Sequence, residues 1–116
     1  MVTARDLTQT LHARSAKRRA KAEARAERLR ARLPDAARLL LEKYQASRVV
    51  LFGSLATGTH DEHSDVDLAV VGLPSWAYFH ALADLMALFA GPVDLVRIEE
   101  ATPSLVERIQ DEGQPL

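Results

Sequence analysis

The apolar residues of this chain change their rhythm several times, and each change marks an element. Val49-Val50-Leu51-Phe52 is an unbroken apolar run that ends on Gly53. Leu68-Ala69-Val70-Val71 is a second run, entered directly from Asp67 and closed by Gly72-Leu73-Pro74. Val93-Asp94-Leu95-Val96-Arg97-Ile98 alternates after the Gly91-Pro92 turn. Short apolar or alternating runs between turn residues predict strands. Elsewhere the period is helical. Ala22, Ala26, Leu29 and Leu33 form a narrow stripe, and Ala36, Leu40, Leu41 and Tyr44 form another. Phe79, Leu82, Leu85, Met86 and Phe89 mark a face on a helix that Ser75 can cap. Thr102-Pro103 opens a last helix to about Asp111, with proline at the first helical position.

Helices alternating with strands predict an α/β (α+β) fold, a small mixed sheet flanked by helices. The first third reads as helix because it is rich in Ala, Arg, Lys and Glu and has no Gly or Pro before Pro34. Around Ser15–Lys21 it has almost nothing to bury, so fraying or packing on a partner is expected there. Pro34 is expected to start or kink a separate helix, Asp35 to about Gln45. The chain thus divides into a helical arm, 1–33, and a domain, 34–116.

Charge sharpens that division. Residues 1–33 hold ten lysines and arginines against three acids, and the remainder holds five against thirteen. A formal net charge of −1 therefore hides a basic arm on an acidic body. The arm reads as a solvated face, as a contact to nucleic acid, or as a helix docking on an acidic partner or a second copy. There is no cysteine, which excludes disulfides and thiol chemistry and fits a cytoplasmic location. No stretch approaches the ~20 apolar residues of a membrane span.

The chemistry concentrates around residues 53–67. Asp65 and Asp67 alternate with Val66 at a strand entrance, so their side chains are expected on one face. Two carboxylates placed so can flank one or two hard divalent cations such as magnesium. Gly53 allows close backbone approach, Ser54 adds a hydroxyl, and a short turn through Leu55-Ala56-Thr57, ended by Gly58, would face an anion. If the strand 93–98 pairs beside the Asp65–Asp67 strand, Asp94 can reach the same site, where it could bind a cation and accept a proton. A phosphate cradle beside metal carboxylates describes nucleotidyl or phosphoryl transfer. His60 and His63 lack further nitrogen or sulfur partners and read as solvated loop residues. Tyr44, Trp76 and Tyr78 read as bordering the core or an interface.

The run Leu51-Phe52-Gly53-Ser54-Leu55-Ala56-Thr57-Gly58, with Ser64-Asp65-Val66-Asp67-Leu68-Ala69-Val70 downstream, resembles the minimal nucleotidyltransferase family of the DNA polymerase beta superfamily. The resemblance covers roughly residues 36–113. It implies transfer of a nucleoside monophosphate from a nucleoside triphosphate, ATP being the expected one, to an acceptor hydroxyl. By motif position Gly53 and Ser54 would hold the triphosphate, Asp65 and Asp67 the magnesium ions, and Asp94 would be a third ligand or base. It further implies an antitoxin-like role beside a helical HEPN-domain toxin, with a partner tyrosine as one acceptor. The family often carries arginine where Leu55 and Thr57 stand here. A non-catalytic subunit that covers its partner is the alternative reading.

Overall fold

The computed structural model describes all 116 residues. A 35-residue helix, α1 (Ala4–Arg38), opens the chain. Thr3 starts it with a reciprocal cap: its hydroxyl accepts from the Asp6 amide at 3.1 Å, and the Asp6 carboxylate accepts from the Thr3 amide at 3.2 Å. The helix runs through Ser15–Lys21 and through Pro34 without restarting. The expected break at Pro34 is therefore absent. Buried Leu29, Leu33, Ala36, Ala37 and Leu40 flank the proline on both sides, and their packing outweighs the lost N–H. A wider π-type turn, Leu39–Lys43, ends the segment. Lys43 and the Tyr44 hydroxyl both donate to Asp84, at 2.8 and 2.6 Å, and so pin it to the body.

Beyond α1 come β1 (Arg48–Phe52), a one-turn helix α2 (Ser54–Thr57), β2 (Val66–Val71), α3 (Tyr78–Phe89), β3 (Val93–Arg97), α4 (Pro103–Glu112) and a two-residue β4 (Gln114–Pro115). The sheet order is β3-β2-β1-β4. β2 lies parallel to β3 and antiparallel to β1, so the sheet is mixed as expected.

Strand alternation sends side chains to two layers. Val49, Leu51, Val66, Leu68, Val70 and Leu95 meet the buried faces of α1 and α3. On the other side Phe52 and Ala69 meet Ile109 of α4, with Val50, Val96 and Leu105 around them. The α3 face differs from expectation. Ala77, Ala81, Leu85 and Phe89, spaced by four, are buried, whereas Trp76, Phe79 and Met86 are exposed. Phe79 lies about 200° around the helix from Ala81, so both cannot reach the sheet.

β4 was not foreseen, because two residues containing a proline carry no strand pattern. It pairs with β1 through Val50↔Pro115 and Leu51↔Gln114, and the Leu116 amide donates to Val49 at 2.9 Å. This return brings the end of α4 back over the start of α2.

Candidate functional site

Gly53 ends β1 with φ 74°, a conformation that side chains disfavour, and directs the chain into α2. A Cβ at this position would overlap the Asp67 carboxylate, with Asp67 Cγ only 2.9 Å away. The glycine therefore lets the backbone lie directly against the acid. Gly58 closes α2 in the left-handed conformation, φ 80°.

Asp67 pairs with Phe52 on one side and with Asp94 on the other. It shares the α4-facing side of the sheet with Phe52 and Ala69. Asp94 holds the equivalent position on β3, so the register sets two acids side by side. Asp65 precedes β2 and is exposed, whereas Asp67 is half-buried. Burial, and after it the charge of Asp94, push the Asp67 carboxyl up to about 6, while Arg108 opposes the shift and Asp65 and Glu112 add to it. The cluster is anionic, with Asp65 and Asp94 open to water and Asp67 half-covered between them.

Two residues of α4 complete the site, and the sequence reading had missed both. Glu112 accepts the Gly53 N–H at 3.0 Å. Arg108 donates from Nε to the same Glu112 oxygen at 2.9 Å, and its guanidinium carbon lies 5.8 Å from the Phe52 ring centroid. Their i, i+4 spacing was visible, but nothing local connects Glu112 to a glycine 59 residues away. The turn thus already receives an anion, supplied by the chain itself. The Ala56 and Thr57 amides both fold onto the Gly53 carbonyl at 3.1 Å, so the turn is less open than expected. Ser54 begins α2 and is partly exposed beside it.

No group of three acidic or histidine side chains is gathered closely enough to hold a metal ion. The donor chemistry nonetheless fits a hard divalent cation, because oxygen-bearing Asp65, Asp67 and Asp94 lie at one end of the sheet, where the charge of Asp94 adds to burial in raising the proton affinity of Asp67. His63 is exposed as expected, but His60 is not a solvated residue. Both of its ring nitrogens are buried without a partner. Burial, and next the charge of Arg25, hold its pKa below the usual range. Tyr78 is partly buried and donates its hydroxyl to the Leu95 carbonyl at 2.7 Å, whereas Trp76, like Phe79, is exposed.

The family described as polymerase beta nucleotidyltransferase matches residues 37–116, and the chain belongs to it. A solved structure described as a candidate minimal nucleotidyltransferase shares 35% identity at TM-score 0.67, over 78% of this chain and 95% of that one. A toxin–antitoxin structure with AMP-PNP shares 27% identity at TM-score 0.62, over 70% of this chain and 69% of that one. A tyrosine-to-alanine mutant of the toxin–antitoxin MntA-HpeT shares 30% identity at TM-score 0.57, over 67% of this chain and 64% of that one. The chain therefore spans slightly less than two thirds of that last neighbour. No curated protein sequence matches it. No helix is long and apolar enough to cross a membrane.

Proposed function

We propose that this chain transfers a nucleoside monophosphate from a nucleoside triphosphate, ATP by preference, to a hydroxyl of a protein partner. The observation that carries the reading is Asp67, set in register with Asp94 and pressed against the glycine of the Gly53-Ser54 turn. The family match supports nucleotidyl transfer as the reaction type, and the neighbour with AMP-PNP supports an adenine nucleotide. The toxin–antitoxin neighbours support a toxin as the protein partner; its HEPN type and a tyrosine acceptor follow from the motif resemblance to the minimal nucleotidyltransferase family.

Asp65, Asp67 and Asp94 would hold magnesium, which neutralises triphosphate charge and so favours departure of pyrophosphate. The Gly53-Ser54 turn orients the phosphates and offers backbone and hydroxyl donors. The acceptor oxygen bonds to the α-phosphorus while the bond to the pyrophosphate oxygen breaks. Asp94, exposed on an edge strand, takes the hydroxyl proton. Arg108, beside the Gly53 turn through Glu112, is the cation best placed to meet a phosphate where Leu55 and Thr57 provide none.

The test is the intact mass of a co-purified helical partner after incubation with ATP and magnesium. An added adenosine monophosphate on a partner tyrosine, absent with Asp65→Asn, is expected. An unmodified partner in a stable, inhibited complex would instead support the covering-subunit reading, which the Glu112–Gly53 contact favours because it occupies the turn's own amide.

A further inference from the structure

Arg14, Arg18, Lys21, Arg25, Arg28 and Arg32 follow one another at steps of four, three, four, three and four. At 100° per residue all six fall within a sector of roughly 80°, and they extend about 27 Å along α1. The acids Glu23 and Glu27 lie on the opposite side of the helix, and the buried residues Ala26, Leu29 and Leu33 lie beside the stripe. Five of the six are exposed. None is in an ion pair: the five pairs of the chain are Arg38–Asp35, Lys43–Asp84, His63–Glu62, Arg97–Glu100 and Arg108–Glu112.

The stripe ends at the site. Arg25 donates to the carbonyls of Glu62 at 2.9 Å and Ser64 at 3.1 Å, directly before Asp65. Arg25, Arg28 and Arg32 line an open groove against Phe89, Gly91 and Pro92, two residues before Asp94. The groove therefore adjoins both loops that lead into the acid-bearing strands.

We propose that this stripe binds a polynucleotide by its phosphates and guides it toward the Asp65–Asp94 end of the sheet. Regularly spaced cations suit a regularly charged polymer. From Arg14 to Arg32 the sector holds no large apolar side chain, whereas protein interfaces are built around apolar or aromatic anchors. The arm also has no aromatic residue, so recognition goes through phosphates and carries little base sequence preference. The stripe lies ahead of residues 37–116 and adds a binding site to the family domain.

The test is fluorescence anisotropy of labelled 20-nucleotide RNA and DNA strands with the full chain across a salt series. The expected log–log slope is about −3 to −4, at about −0.7 per neutralised phosphate. Arg18→Gln with Lys21→Gln should weaken binding roughly tenfold at moderate salt and flatten the slope by about 1.4. The charge-matched pair Arg5→Gln with Arg19→Gln, outside the sector, should leave affinity within about twofold. Equal losses in both pairs, no binding to either strand, or equal affinity for polyglutamate would overturn the proposal. Retained helical circular dichroism in each variant separates lost contacts from lost fold.

Discussion

A single glycine decides how closely the backbone can approach the chemistry. Gly53→Ala would need a left-handed alanine and would drive its Cβ into the Asp67 carboxylate. The expected cost is roughly 2–3 kcal/mol in urea melts, from backbone strain and the displaced acid. Asp67 gives the opposite effect. Its folded-state pKa lies above its ordinary value of 3.8, at about 6, so the folded state binds this proton more tightly than the unfolded chain does. Its unfavourable contribution is absent below 3.8, grows as pH rises to 6, and stays constant above. The full shift would correspond to about 3 kcal/mol, and solvent screening of a half-exposed group reduces it to about 1 kcal/mol. Asp67→Asn should therefore be more stable than wild type at pH 8, with the advantage gone by pH 3.5. Equal thermal melting curves at pH 8 would show that neither burial nor the charge of Asp94 destabilises the ionised Asp67. At this scale the Gly-Ser turn and the paired acids were legible, since each is announced by immediate neighbours. Glu112 and Arg108 were not, because their role depends on a strand return that only tertiary packing creates. His60 was misread for the same reason: a polar loop sequence does not reveal that α1 covers it.

The strands β1, β2 and β3 and the last two helices were legible from period and turn residues. The exceptions have physical causes. Proline normally ends a helix, yet Pro34 sits inside α1 because apolar residues before and after it bury on the same layer. Pro34→Ala should then stabilise the protein by about 1–2 kcal/mol, since the gain in helix propensity exceeds the entropy returned to the unfolded chain. An unchanged or lower denaturant midpoint would mean that the helix restarts at this point. In α3 the apolar composition is nearly uniform, so period alone could not choose between the stripe containing Phe79 and the one containing Ala81 and Leu85. Packing against the sheet selects the second.

The whole molecule joins an acidic body to a basic helix that gives it a long axis of 62 Å. The charge division between arm and body was readable from sequence, but the place where they meet was not. Arg25 and Arg30 donate to carbonyls of the Glu62–Ser64 loop and of Leu55, so the arm braces the segments that carry the site. Magnesium and ATP together should raise the melting temperature, because a ligand bound only by the folded state stabilises it by mass action. Titration of Asp67 around 6 makes this rise larger at pH 7.5 than at pH 5. The rise should vanish in Asp94→Asn. An equal rise at both pH values, or one kept by that variant, would place the ligand elsewhere.

Incorporation of label from ATP bears most directly on the proposed activity. Two preparations of ATP, labelled at the α- or the γ-phosphate, would be incubated with magnesium, the wild-type chain and its co-purified partner, with Asp67→Asn in parallel. Nucleotidyl transfer predicts label on the partner from the α-phosphate alone, and none with Asp67→Asn. Label from the γ-phosphate, or α-label undiminished in the variant, would contradict a nucleotidyltransferase built on Asp67.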